Sequence, residues 1–302
     1  MASTTTPAPN GIVLIDKPQG FTSHDAVARI RRLAGTRKVG HAGTLDPMAT
    51  GLLILGLGPS TRLLTFIVGL SKEYVATIRL GSSSTSDDAE GDLLGYAPQA
   101  QLDRVTDELI ADGIVPLTGD IEQVPSTVSA IKVGGKRAYA LARAGETVEL
   151  KARAVTIYAF EIQSIIRGTD ESGNGFIDVE VRVECSSGTY IRALARDLGF
   201  KLGVGGHLTA LRRTRIGSFH VTDAHDLDKL ESAPELMSPA DVARGIFNVV
   251  DLNETQALEL SQGKKVVLEG YPDSKDPVAA IGPEDRLVGL VTVKKNQTRV
   301  VV

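Results

Sequence analysis

The chain has 302 residues, 42% of them hydrophobic and 23% charged, with a formal net charge of −4; these are the proportions of a globular protein with room for one large domain and a small appendage. No apolar run reaches the length that spans a bilayer, the nearest being residues 51–57. The single cysteine excludes an intramolecular disulfide and suits a reducing cytoplasm.

Residues 1–10 form a Ser/Thr/Pro/Ala segment with neither a basic start nor an apolar core, which predicts a disordered tail and not a signal peptide. Ile12-Val13-Leu14-Ile15 predicts a short buried strand. A helix follows, capped at Thr22 or Ser23 with Asp25 as a second cap partner, apolar at Val27, Ile30 and Leu33, and stopped by Gly35. Residues 72–80 alternate Tyr74, Ala76, Ile78 and Leu80 against Val75, Thr77 and Arg79, the pattern of a strand. The clearest strand is 177–185, with Ile177, Val179, Val181, Val183 and Cys185 on one face, which makes Cys185 a small core residue. A turn at 186–188 leads into a helix whose apolar positions are Ile191, Leu194, Ala195 and Leu198. Residues 208–221 read as a further strand and 227–250 as a linker. The last ~50–60 residues read as a separate small β-rich unit, near the lower size limit for a stable domain, with strands at 286–290, 291–293 and 298–302. Strands and helices are mixed without the alternation of a doubly wound sheet, so the fold class is α+β.

The most informative segment is Gly40-His41-Ala42-Gly43-Thr44-Leu45-Asp46-Pro47, continued by Met48-Ala49-Thr50-Gly51. Proline drives the residue before it out of the helical region, so Asp46 is held at a fixed angle, and Gly40 and Gly43 admit another chain close to the backbone. An isolated Asp-Pro is an ordinary turn starter. The nearby His41, the small residues and the apolar run that follows favour a site.

Basic residues cluster despite the acidic total. One run holds Arg29, Arg31, Arg32, Arg37 and Lys38, a second Arg192, Arg196, Lys201, Arg212, Arg213 and Arg215, and a third Lys132, Lys136, Arg137 and Arg143. Any one run alone reads as a solvated face, whereas three beside a candidate site favour an anionic polymer as partner. One cysteine and five scattered histidines assemble no zinc ribbon, H-E-x-x-H helix or zinc deaminase. Phosphate-loop, dinucleotide and G-x-S-x-G motifs are missing as well. The remaining chemistry is that of a carboxylate without metal or cofactor, acting as general base, electrostatic stabiliser or nucleophile. Arg192 is the candidate partner that would keep Asp46 ionised and Tyr190 a candidate hydroxyl or aromatic face; a packing residue and a surface charge are the alternative reading of the two.

These residues resemble the bacterial tRNA pseudouridine-55 synthases of the TruB type from Gly11 to about Phe219. The resemblance rests on residues 16–25, Gly40 to Pro47 with Ala49-Thr50-Gly51, Lys72-Glu73-Tyr74, Ser129-Ala130-Ile131-Lys132 with Tyr139 and Ala142-Arg143, residues 185–192, and Leu211-Arg212-Arg213. Ser84-Thr85-Ser86-Asp87-Asp88 stands where the family often has Thr-x-Thr-x-Asp. The resemblance implies a mixed, mainly antiparallel sheet flanked by helices as a catalytic domain over 11–235, an RNA-gripping insertion at about 115–145, and a small PUA-like domain over 240–302. It also implies a cytoplasmic, monomeric enzyme that isomerises uridine 55 in the T-loop of tRNA, without cofactor, metal, membrane or obligatory protein partner. By motif position Asp46 is then the catalytic carboxylate, Arg192 its partner, and Tyr190 lies against the base near the proton to be removed. Tyr74 stacks on the flipped uracil, Leu211 lines the pocket and His41 fills space left in the RNA. Lys17, bracing the loop with Pro18, joins Lys132 and Arg143 in the substrate-binding set. The rival reading is a non-catalytic tRNA-binding or folding module on the same scaffold, which would have no need of Asp46.

Overall fold

Two kinds of strand pattern build this fold: fully apolar runs that pass between two cores, and alternating runs that face one. The computed structural model describes residues 8–126 and 150–302, together with the backbone of 132–133 and 136–137. Its strands are, in order, β1 (Gly11–Lys17), β2 (Val39–Ala42), β3 (Thr50–Leu57), β4 (Lys72–Leu80), β5 (Ser82–Ser84), β6 (Leu93–Tyr96) and β7 (Gly119–Gln123). There follow the short β8 (Lys132–Val133) and β9 (Lys136–Arg137), then β10 (Arg153–Thr169), β11 (Gly175–Cys185), β12 (Gly206–Ile216), β13 (Phe219–His220) and β14 (His225–Asp226). The last four are β15 (Asn248–Asp251), β16 (Ser274–Gly282), β17 (Arg286–Lys294) and β18 (Gln297–Val300). The helices are α1 (Ser23–Leu33), α2 (Leu64–Gly69), α3 (Gln99–Leu102), α4 (Asp107–Ile114), α5 (Ile191–Lys201), α6 (Pro239–Arg244) and α7 (Glu254–Ser261).

The large sheet runs β14-β1-β3-β12-β4-β11-β10-β7, with β2 added to β3 and β13 to β12. Its pairings are antiparallel except β1 with β14 and β3 with β12. A second sheet runs β15-β16-β17-β18. The α+β class expected from the sequence is the class found. Tyr74, Ala76 and Ile78 of β4 join Val179, Val181 and Cys185 of β11 in the main core, which α1 and α5 cover with Ile30, Leu194 and Leu198. Cys185 lies wholly inside it, and burial pushes its thiol up to about 11, the behaviour of a packing residue. By contrast β1 sends Val13 and Ile15 to this core and Ile12 and Leu14 to a second one. A strand covered on both faces has no polar side to alternate with, so its sequence is a continuous apolar run.

Helix α1 forms as expected. Thr22 accepts from the Asp25 N–H, the Asp25 carboxylate accepts from the Thr22 N–H at 2.9 Å, and Gly35 follows at φ +62°.

Several expectations are corrected. Residues 227–250 are not a linker: Met237 exchanges backbone hydrogen bonds with Ile12 at 2.8 and 3.1 Å. The helix α6 buries Ala240, Val242 and Ala243 in the second core, together with Ile54 of β3 and Ala279, Ile281 and Leu290 of the small sheet. Pro239, which reads as punctuation, is the first residue of that helix, where its missing N–H costs nothing. The C-terminal sheet has a core of its own with α7, built from Leu252, Ala257, Leu260, Val278, Ala280, Val291 and Val293, and also shares the second core with the large sheet. Of the expected tail, 1–7 lie outside the described residues, while Asn10 is fixed by accepting from the Ser60 N–H and hydroxyl at 3.0 and 2.8 Å. Gly217, at φ +54°, ends the strand predicted over 208–221 at Ile216. The 17-residue strand β10 had no readable signature, because register shifts at 157/159 and 162/164 break the period of two.

The parallel pair β3/β12 sets Gly51 against Arg213. Gly51 has φ +101°, and a Cβ there would overlap the Arg213 carbonyl oxygen. Gly20 has φ +83° with nothing near its missing side chain. Gly51→Ala is expected to cost about 2–6 kcal/mol, strain plus overpacking, and Gly20→Ala only the strain of about 1–3 kcal/mol. Urea midpoints of the two variants check the difference.

Candidate active site

The loop 43–49 between β2 and β3 carries Asp46. Its Asp-Pro does start a turn, since the Ala49 N–H donates to the Asp46 carbonyl at 3.1 Å, and that turn is also what presents the carboxylate. Buried side chains hold the loop from three sides. Ser23, at the start of α1, accepts from the Leu45 N–H at 2.9 Å and donates to the Leu45 carbonyl at 3.2 Å. Arg213 reaches from β12, its guanidinium donating to the carbonyls of Gly43 at 3.1 Å, Thr44 at 3.4 Å and Leu52 at 2.8 Å. Lys17 of β1 donates to the carbonyls of Phe21 at 2.7 Å, Pro18 at 3.0 Å and Pro47 at 3.4 Å. Carbonyls satisfy both cations without a counter-charge.

Arg192, in the first turn of α5, meets Asp46 at 3.0 Å through Nε and Asp88 at 3.2 Å through Nη1. Nη1 also donates to the Ser86 carbonyl at 2.9 Å. The Arg192 and Asp88 side chains are 4% and 3% exposed, that of Asp46 35%. One guanidinium thus binds an enclosed carboxylate and an open one. Asp88 is itself fixed: the Ser86 hydroxyl donates to its Oδ1 at 2.5 Å, the Glu90 N–H at 3.0 Å, and the Ser84 hydroxyl binds its carbonyl at 2.6 Å. The hydroxyls of Ser84 and Ser86, polar residues two apart ahead of Asp88, are the signal that could have identified Asp88 as a held carboxylate. Burial raises the proton affinity of Asp46 above that of an ordinary carboxylate; Arg192 pulls it down, Asp88 raises it again and Lys17 lowers it.

The open carboxylate faces a cavity of about 290 Å³ whose walls include Tyr74, Tyr190, Arg192, Leu211 and Arg213, the lower end of the range for small-molecule sites. Tyr74 is 8% exposed, and burial pushes its phenol above its ordinary range while its hydrogen bond with Arg213 opposes this. Another wall, at Val68, is fixed by Lys72, which donates to the Val68 and Leu70 carbonyls at 2.5 and 2.6 Å, and by the Ser187 hydroxyl at 2.6 Å. Burial brings the Lys72 ammonium down to about 8.

Asp46, Tyr74, Tyr190, Arg192 and Leu211 therefore come together around one cavity. His41 does not line it. It stands on β2 edge-on to His24, ring centroids 5.8 Å apart, and is disfavoured as a cation first by burial and then by His24. Lys17, expected to bind substrate, is 0% exposed and acts only as a brace for the loop; its ammonium falls to about 8 through burial, against the opposing pull of Asp46. The side chains of Lys132 and Arg143 lie outside the described residues. The basic runs are also redistributed. Arg29 donates to the Asp228 and Leu230 carbonyls, Arg212 pairs with Asp16 at 2.6 Å and Arg215 with Glu184 at 2.7 Å. Part of the charge read as a grip on an anionic polymer is thus paired within the chain, while Arg31, Arg32, Arg37 and Lys38 of the first run are exposed. Arg213, Asp88 and Lys72 are the functional neighbours that the sequence reading missed.

The chain matches the family model described as TruB family pseudouridylate synthase (N terminal domain) over residues 31–191, and that described as tRNA pseudouridylate synthase B C-terminal domain over 192–244. It is 59% identical over 294 residues to the tRNA pseudouridine synthase B of Leifsonia xyli subsp. xyli, covering 97% of this chain and 96% of that one. It is 50% identical to the protein of the same name from Thermobifida fusca over 293 residues, 97% and 98% of the two chains. Among solved structures, a chain of a Cbf5-Nop10-Gar1 complex superposes with a TM-score of 0.70 at 26% identity, over 97% of this chain and 84% of that one.

The charge arrangement makes the two ends of the ion pair unequal. Asp46 binds its proton more tightly folded than unfolded, so its ionisation opposes folding, an effect absent below the unfolded pKa and complete above the folded one. Asp46→Asn is expected to match or exceed the parent in stability at pH 7, with the difference closing as the pH falls towards 4. Arg192→Met leaves Asp46 and Asp88 facing each other without their shared cation and is expected to cost about 3–5 kcal/mol. Denaturant titrations at both pH values check both.

Proposed function

The chain belongs to the TruB family of pseudouridylate synthases, and we propose that it isomerises uridine to pseudouridine in the T-loop of tRNA, at position 55, with Asp46 as the catalytic carboxylate. The observation that carries this reading is the Arg192–Asp46 pair at the wall of a cavity of nucleobase dimensions. The relatives named tRNA pseudouridine synthase B, similar along nearly their whole length, support tRNA as the substrate.

The reaction conserves every atom: the N1–C1′ bond breaks, C5 bonds to C1′, and the proton leaving C5 is balanced by one gained at N1. It needs a group able to stabilise or attack the electron-poor sugar or base, and a polar group near C5. Asp46 fills the first role. Its proton affinity, raised by burial, makes the carboxylate more reactive than a solvated one, and Arg192 keeps it ionised. Tyr190 supplies the polar edge. Such a cavity admits a base and its ribose but not a folded loop, so the uridine must turn out of its stack at a cost of a few kcal/mol. Contact with the Tyr74 ring offsets about 1–3 kcal/mol of that, while Leu211 adds an apolar part of the wall. On this reading residues 11–235 form the catalytic unit, and the sheet β15–β18 belongs to a PUA-like unit over 240–302.

Incubation of the purified chain with an unmodified tRNA transcript, followed by pseudouridine mapping, is expected to show one product at the T-loop uridine. Asp46→Asn should bind the transcript but lose at least about 100-fold in rate; full activity in that variant, or modification elsewhere, overturns the assignment. Activity should be lost as the pH falls through the Asp46 titration, at a midpoint above the ordinary carboxylate value of 3.8. Arg192→Gln removes an influence that lowers that midpoint, so its acid limb should shift to higher pH.

A further inference from the structure

Tyr190 occupies an unusual place for an active-site side chain. It is the N-cap of α5, with φ −106° and ψ 105°, and no side chain caps the helix there. Ser, Thr, Asp and Asn dominate this position because their oxygens take up the free N–H groups of the first turn. An aromatic ring does not, and this one lines the cavity. The cap residue itself is held from the sheet, through its own N–H and carbonyl. Gln123, the last residue of β7, is 2% exposed. Its Oε1 accepts from the Tyr190 N–H at 2.8 Å and its Nε2 donates to the Tyr190 carbonyl at 3.1 Å. The next residue, Val124, accepts through its carbonyl from Arg196 Nη2 at 2.8 Å, one turn further along α5. Strand β7 is at the end of the sheet and pairs with β10 alone among the described residues, so this attachment is the route by which the sheet edge sets the start of α5.

We infer that Gln123 is a positioning residue of the active site: its carboxamide sets where Tyr190 and, two residues on in the first turn of α5, Arg192 stand against Asp46. A carboxamide suits this task because it presents one donor and one acceptor in a plane, as the peptide group of a neighbouring strand would. Glu keeps the acceptor but turns a second oxygen against the Tyr190 carbonyl. Met fills the same space with neither group. The dual bond fixes the Tyr190 backbone, and the residue lines the cavity. Catalytic rates are sensitive to such fixation, since a displacement of 1 Å can lower them about 100-fold.

The inference rests on the proposed pseudouridine synthase activity and is tested with the full chain and an unmodified tRNA transcript. Single-turnover rates at saturating enzyme, transcript affinity and thermal unfolding are measured for the parent, Gln123→Met and Gln123→Glu. Both variants are expected to bind the transcript as the parent does and to react roughly 10- to 100-fold more slowly at saturation. The acid limb of Gln123→Met should also move to higher pH, because a displaced Arg192 lowers the proton affinity of Asp46 less. Gln123→Glu, with one of the two bonds kept, provides the reading if Gln123→Met does not fold. Parent-like saturating rates in a folded variant, or a rate loss matched by an equal loss of affinity, overturn the inference. A parent chain that forms no pseudouridine overturns the activity itself and is recognised before any variant is compared.

Discussion

A single guanidinium shared by two carboxylates is the constraint around which this molecule is organised. Bringing Arg192 out of water is costly unless its charge is matched and its donors are occupied. Asp88, the Ser86 carbonyl and Asp46 do this from two separate loops. Each loop must then be fixed independently, because a charged pair is only as well placed as the backbone beneath it. Hence the hydroxyls of Ser84 and Ser86 under Asp88, and Ser23 and Arg213 under the Asp46 loop. The enclosed carboxylate holds the cation and, on the proposed reading, the open one is left for chemistry.

The same logic explains why so many cations face inward. Lys72 and Arg213 lie in the walls of the cavity and Lys17 behind the loop, and all three tie backbone carbonyls in place. A carbonyl-bound cation ties a turn in place without adding an anion that would compete with Asp46 for Arg192. It also leaves positive potential around the cavity, which partly offsets what burial does to Asp46 and favours a substrate carrying phosphates.

Much of this was legible in the sequence where the physics is local. The capping box of α1 and the alternation of β4 and β11 each depend on residues a few positions apart, and each appears where expected. Legibility failed where a position is defined by distant partners. Arg29, Arg212 and Arg215 read as surface charge because their partners lie about 30 to 200 residues away. Asp88 is only the end of a Ser/Thr/Asp segment in the sequence, and its part in the site shows once Arg192 is beside it. The six-residue α6 is too short to display a helical period, and the bulges in β10 destroy its strand period.

The dimensions of the cavity bear on how one uridine is chosen among many. A space of about 290 Å³ lined by Tyr74, Leu211 and the Asp46–Arg192 pair is of nucleobase dimensions, and its size does not distinguish one uridine from another. On the proposed reading, the choice of position must come from the shape of the loop presented to the rim. Contacts that read shape are made to sugar and phosphate, by charges outside the pocket. Arg32, Arg37 and Lys38, exposed just ahead of the strand that leads into the Asp46 loop, stand where such contacts would register the backbone against the cavity. The chemistry is thus confined to a rigid interior, and selectivity falls to a surface free to differ in sequence so long as its charge and distance from Asp46 are kept.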